Sequence, residues 1–327
     1  ERARLLGYLN FSEFKLENEM AENSEKVKEF LQNVWKYAHE KALEELEQLK
    51  QIMEREQVDG PVMPWDWRYY QCKVKKQRFD FNPEDLKSFF ELNSIISAAF
   101  FTANKLFDLE FTNVKFMGYH PDVRAWQVTR KGIHIGVFIG DYFARDGKRS
   151  GAWCSTLRSQ SRSSKVVNPI VINVCNFAKP PKDEDALLSF DDATTLFHEF
   201  GHALHNLLSN VTYERISGTS VSRDFVELPS QLYEHWLLVP EVLRKFAINN
   251  ENEERMSDDL MQKLLDSVAF GSGFSTIEYL ASAIADIELH SKEGIFTPKM
   301  IQAEILDKLD MPEGIVMRHA IPNFAHI

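Results

Sequence analysis

The amino-acid sequence predicts a mainly α-helical chain with one small β-sheet placed between two helical stretches. Three observations carry this reading. Residues 24–57 repeat apolar side chains at three- and four-residue spacing. Residues 112–184 hold short β-branched or alternating segments bounded by Gly, Pro, Asp or Asn. From Asp185 the helical spacing returns. Of 327 residues, 44% are hydrophobic and 27% charged, a balance that excludes a disordered, collagen-like or disulfide-stapled chain. Against 38 Lys+Arg stand 49 Asp+Glu, so the net charge of −11 does not favour nucleic acid as a partner. The most apolar stretch, Ile95–Phe101, is too short for a membrane span. Three cysteines without metal or disulfide spacing (Cys72, Cys154, Cys175) fit a reducing, cytoplasmic setting.

In chain order, Val27, Phe30, Leu31, Val34 and Trp35, continued by Leu43, Leu46 and Leu49, form the apolar stripe of one long helix. Asp59-Gly60-Pro61 and Pro64 break it, and a second helix is expected over Trp65–Gln77. Asn82-Pro83-Glu84-Asp85 has the form of a helix start, followed by Leu86–Phe107 as two helices. Strands are expected at Val114–Tyr119, Val123–Thr129, Ile133–Ile139 and Ile170–Val174, with Lys131-Gly132 as a hairpin turn. The chain thus divides into a helical segment 1–111, a sheet segment 112–184 and a helical segment 185–327, together part of one catalytic domain.

The last segment contains His198-Glu199-Phe200-Gly201-His202. Two histidines four apart on a helix share a face, about 6 Å apart along the axis, so both imidazoles can reach one metal ion. Glu199 follows the first His and lies beside that metal, where it can reach a bound water without coordinating. Leu196, Phe197, Phe200, Ala203, Leu204, Leu207 and Leu208 make this helix apolar and therefore buried, and buried His and Glu need partners. A catalytic zinc takes three protein ligands and keeps one position open. Glu214, Asp224, Glu227 and Glu234 are the nearby acids that could supply the third. Asp224 and Glu227 also have capping-box spacing, although Pro229 requires a kink or a later helix start.

HEFGHALH (His198–His205), Gly218-Thr219 and DFVELPSQLYEHW (Asp224–Trp236) resemble the thimet oligopeptidase family of zinc metallopeptidases. Arg223-Asp224-Phe225, Glu234-His235-Trp236, GDYFARDGKRSGAW (Gly140–Trp153) and NVCNFAKP (Asn173–Pro180) bring it nearest the bacterial peptidyl-dipeptidase (dipeptidyl carboxypeptidase) branch. The resemblance implies a zincin-like catalytic region with a neurolysin-like channel fold. It implies one Zn2+ per chain on His198, His202 and Glu227, and a zinc-bound water activated by Glu199 as general base. It implies that Gly151–Cys154, with Ala152 and Trp153, is an edge strand on which substrate backbone pairs. His326, in the ending Phe324-Ala325-His326-Ile327, matches the leading His of the family's Gly- and Tyr-rich loop, which makes it an expected oxyanion donor and substrate contact. Family members are about twice this length, so the chain is expected to be a piece of a longer protein.

The activity implied is hydrolysis of short peptides with release of C-terminal dipeptides. An endo-acting oligopeptidase of the same family and an inactive peptide-binding fragment are the alternatives. A helical interaction module that happens to carry HExxH is the rival from another class, and stoichiometric zinc separates the two. Glu234, seven residues after Glu227, is read either as a carboxylate orienting His202 or as a solvated acid. His205 is expected to pack or hydrogen-bond. Lys148-Arg149 is read as a solvated turn, with contact to a substrate carboxylate as its alternative. Cys154 has no accompanying Cys–His pattern and is not a nucleophile.

Overall fold

The computed structural model describes residues 1–80, 83–115, 118–292, 294 and 297–321, without the side chains of 83 and 85. Asn82 and His326 therefore lie outside the described residues. About half of the chain is helical, and one small mixed sheet accompanies the helices. Helices α1 (Arg2–Leu5), α2 (Phe11–Leu16), α3 (Ser24–Arg55) and α4 (Asp66–Phe79) precede a 3-10 turn at Pro83–Phe89 and α5 (Leu92–Phe107). Strands β1 (Leu109–Val114), β2 (Arg124–Arg130), β3 (Ile133–Phe143), β4 (Trp153–Arg158) and β5 (Ile170–Phe177) follow. Helices α6 (Phe190–Leu207), α7 (Arg223–Val226), α8 (Leu228–Glu234), α9 (Pro240–Phe246), α10 (Asp258–Val268), α11 (Ser272–Ser291) and α12 (Pro298–Lys308) complete the order.

The chain forms two compact units, one from Glu1–Asp80 with Lys263–Ile327, the other from Phe81–Gln262. The helical stretch 1–111 is thus divided at Asp80, and the stretch 185–327 at Lys263. The first unit is built on α3, whose 32 residues extend about 48 Å. Its apolar stripe (Ala38, Ala42, Leu46, Leu49) packs on α11 through Phe274 and Ile277. The backbones approach closely because Gly273 has no side chain; a Cβ there would lie 2.5 Å from the Ala42 nitrogen. Glu45 is 1% exposed, and its carboxylate accepts the Gly273 and Phe274 N–H groups at 3.0 and 2.9 Å. A buried charge on α3 is thereby satisfied by the free amides that begin α11.

The second unit holds the sheet, in order β1-β2-β3-β5-β4. β3 and β5 are parallel and the other pairs antiparallel, so β1 and β4 are its edges. Lys131 and Gly132 both have positive φ (50° and 76°), the geometry of a tight primed turn, and join β2 to β3 as expected. One face carries Val123, Ala125, Ile139, Ile172 and Val174. Aromatic rings from α5, α6 and the strands pack together: Phe100 stacks on Phe111 at 4.1 Å, and Phe200 meets Phe138 at 5.1 Å.

Several boundaries differ from the sequence expectation, among them the end of β5, which runs on to Phe177. The first strand ends at Val114 instead of starting there. Asp108 adopts the left-handed conformation that closes α5, so the chain enters β1 at once and buries Leu109. Residues 116 and 117 of the expected strand are not among those described. β3 continues through Gly140 and Asp141 to Phe143, because the Asp141 charge is satisfied inside the fold and does not end the strand. The expected cap at Asp224 is replaced by Ser222, and the chain breaks at Glu227, which ends α7 and begins α8 with Pro229 in the first turn.

Candidate metal centre

Helix α6 is held at its start by a reciprocal cap. The Ser189 Oγ accepts the Asp192 N–H at 3.0 Å, and the Asp192 carboxylate accepts the Ser189 N–H at 3.1 Å. Beyond it, Phe197, Phe200, Ala203 and Leu204 are buried, and the helix packs on β3, β4 and β5 and on α8. The approach to α8 is set at Gly201. A Cβ on this residue would lie 2.6 Å from the Ser230 Cα and 3.1 Å from the Pro229 carbonyl oxygen. Ser230 is fully buried, and its hydroxyl donates to the Glu227 carbonyl at 2.8 Å and lies 3.2 Å from the Glu227 Oε2. This contact brings the start of α8, with Glu227, to the HExxH face.

Among the described residues, His198, His202 and Glu227 form the one group of three whose donor atoms could hold a metal, all within 4.8 Å of one another. Both imidazole Nε2 atoms converge on a single carboxylate oxygen: Glu227 Oε2 lies 3.2 Å from His198 and 3.1 Å from His202. Bonds of about 2.0–2.1 Å to a tetrahedral zinc put neighbouring donors about 3.3 Å apart, so these spacings fit. Two imidazoles with one carboxylate are also a donor set of catalytic zinc sites. Glu227 is half exposed, which leaves the outer side open to solvent.

His198 Nδ1 lies 2.6 Å from the Glu234 Oε1. That bond fixes the imidazole with Nε2 facing the other donors. Glu234, together with burial, Glu199 and Glu227, shifts the His198 pKa, with a net rise. Glu234, read from sequence either as a carboxylate orienting His202 or as a solvated acid, serves His198 instead, from the end of α8. His202 is buried and its Nδ1 has no partner among the described residues; burial outweighs Glu227 and lowers its pKa, favouring the neutral, metal-binding form. Glu199 is 6% exposed, and its Oε2 is buried with no partner among the described residues. Burial, opposed by His198, pushes its carboxyl up to about 7. Burial and then the Glu199 charge also hold the Cys154 and Cys175 thiols well up, which makes Cys154 a poor nucleophile.

His205 stands aside from the three donors, with Phe225 at 6.2 Å, and burial lowers its pKa. Trp153 opens the edge strand β4 and pairs with Val174, while Ala152 precedes the strand by one residue. Lys148 is not a solvated turn residue: its side chain is 5% exposed and bound to Asp141. Sequence reasoning passed over Gly201. A glycine inside a buried apolar helix is the signal of a close backbone approach.

A family model described as peptidase family M3 matches residues 1–311. The chain is 36% identical to the dipeptidyl carboxypeptidase of Escherichia coli (strain K12) over 335 residues, covering 100% of this chain and 49% of that protein. It is 32% identical to oligopeptidase A of the same organism over 314 residues, covering 94% and 46%. It is 27% identical to a thimet-like oligopeptidase of Dictyostelium discoideum over 308 residues, covering 89% and 46%. The chain spans about half the length of these relatives. No helix among the described residues is long and apolar enough to cross a membrane. By the extent of the family match and its agreement with the HExxH site, the chain belongs to peptidase family M3, a family of metallopeptidases.

Proposed function

We propose that this chain is the zinc-binding part of a cytoplasmic peptidase that removes C-terminal dipeptides from short peptides, within a zincin-like channel fold. The observation that carries the reading is the convergence of His198 Nε2 and His202 Nε2 on one Glu227 oxygen beside the buried Glu199, whose Oε2 has no partner among the described residues. His198, His202 and Glu227 would hold one Zn2+, which when bound supplies Lewis-acid polarisation of the scissile carbonyl.

Glu199 performs the proton transfers. It accepts a proton from the attacking water as the new C–O bond forms at the carbonyl carbon, and returns it to the amine nitrogen as the C–N bond breaks. A carboxyl pushed up to about 7 is matched to both steps near neutral pH. Glu234 holds the His198 ring, and Ser230 holds the start of α8. The outer edge of β4 presents backbone to an extended peptide, with Ala152 and Trp153 at its start. His326 enters the proposal only by family likeness, as an oxyanion donor.

The test joins metal content and products. Folded chain should bind one zinc, and a longer chain carrying it should shorten a free-acid peptide by two residues at a time. Internal cleavage would move the activity to an oligopeptidase. Failure of the chain to bind zinc would refute the site.

A further inference from the structure

The start of the edge strand β4 carries a second polar feature, which the metal centre does not use. A cavity of about 320 Å³ opens there, its lining including Tyr119, Asp141, Arg145, Lys148, Arg149 and Trp153. The buried Asp141 organises it. Arg145 donates to its two oxygens from Nη1 and Nη2, both at 2.7 Å; Tyr119 donates at 2.7 Å and Lys148 at 3.0 Å. Lys148 also donates to the Asp141 and Phe143 carbonyls at 3.1 and 2.7 Å, which engages its three protons as scaffold. Arg145 is different. Its side chain is 24% exposed, and Nη2 keeps a second N–H beyond its bond to Asp141. Arg149 is exposed on the same rim, and its carbonyl is tied by the Asn176 amide at 2.7 Å, which anchors the turn to β5. Asp146 adds one exposed carboxylate. Three cations therefore face two carboxylates, one of which is buried and fully engaged.

We propose that this cavity receives the C-terminal carboxylate of the peptide, held by Arg149 and Arg145; the proposal rests on the peptidase reading above. A peptide added antiparallel to β4 ends its C-terminus at the start of that strand, where Trp153 lines the cavity. Parallel addition would bring a peptide's ammonium end to the same cations, which like charge disfavours. A carboxylate fixed at one end of the strand sets how many residues lie between it and the metal centre. That is the physical requirement for release of units counted from the C-terminus. Arginine suits this task because its planar fork binds a carboxylate through two N–H groups.

The test is binding, so it does not depend on turnover. The dipeptide Ala-Phe and its C-terminal amide are titrated by NMR or calorimetry into the zinc-loaded chain and into R149Q, R149K and R145Q. The parent should bind the free acid roughly tenfold or more tightly than the amide. R149Q and R145Q should bring the ratio toward one with little effect on the amide, and R149K should retain part of the preference. A melting temperature for R149Q equal to the parent's shows that its loss is local. The proposal is overturned if R149Q and R145Q keep the parent's ratio, or if the parent binds both forms equally or neither. The peptidase reading fails by a different sign, the absence of zinc-dependent cleavage, which leaves the acid preference measurable.

Discussion

Replacing Gly201 by Ala tests whether the approach of α6 to α8 sets the metal centre. The added Cβ would sit 2.6 Å from the Ser230 Cα, 3.0 Å from the Tyr233 Cβ and 3.1 Å from the Pro229 oxygen. Ordinary carbon–carbon contact is about 3.5–4.0 Å, so one element must move by roughly 1 Å. Two of these contacts are backbone atoms of α8, which no rotamer change can clear. Overpacking of this kind costs about 1–3 kcal/mol. If α8 withdraws, Glu227 leaves its positions 3.2 and 3.1 Å from the two imidazoles, whereas metal sites tolerate only about ±0.2 Å in their bonds. A loss of the same size in binding is roughly a 5- to 150-fold fall in zinc affinity. Competition with a chelator of known affinity measures it, and a thermal melt of the metal-free chain reports the strain. Unchanged affinity and unchanged melting in Gly201→Ala would refute the role given to this contact.

Further outcomes follow from the same geometry. In a longer chain carrying this one, Glu199→Gln should keep zinc but lose about 10²–10⁴-fold in turnover of a short peptide, measured at saturating zinc; near-normal turnover would remove Glu199 as the proton carrier. Glu234→Gln should weaken zinc by about 10- to 100-fold through the His198 ring, read by chelator competition, and parental affinity would show that the 2.6 Å bond does not orient the ligand. Burial pushes the Asp141 carboxyl up, but Arg145, Tyr119 and Lys148 together prevail and hold it at about 2, against an ordinary 3.8. Because the folded value lies below the unfolded one, its stabilisation is present above about pH 4 and is lost as pH falls toward 2. With solvent screening at the cavity the contribution is about 1–2 kcal/mol. Urea unfolding of parent and Asp141→Asn between pH 5 and 2 should converge as pH falls, and a constant difference would exclude the linkage.

Local pattern was enough for much of this protein. The three- and four-residue spacing from Val27 onward marks α3 because a helix turns every 3.6 residues. The same rule puts His198 and His202 on one face and leaves Glu199 beside them. Lys131-Gly132 marks a hairpin because positive φ at both positions is a local requirement. Choosing among Glu214, Asp224, Glu227 and Glu234 was another matter, because each is a carboxylate at a plausible distance along the chain. That choice depends on where α8 lies against α6, and the spacing is set by Gly201 on one helix and Ser230 on the other. The assignment of Glu234 to His198 follows from the same packing. Asp141 shows the complementary limit. Its sequence neighbourhood reads as a strand end, yet β3 runs through it because Arg145, Lys148 and Tyr119 supply four donors from outside the strand. Periodicity determines the direction in which a side chain leaves its own element; the close contacts between elements determine which groups then meet.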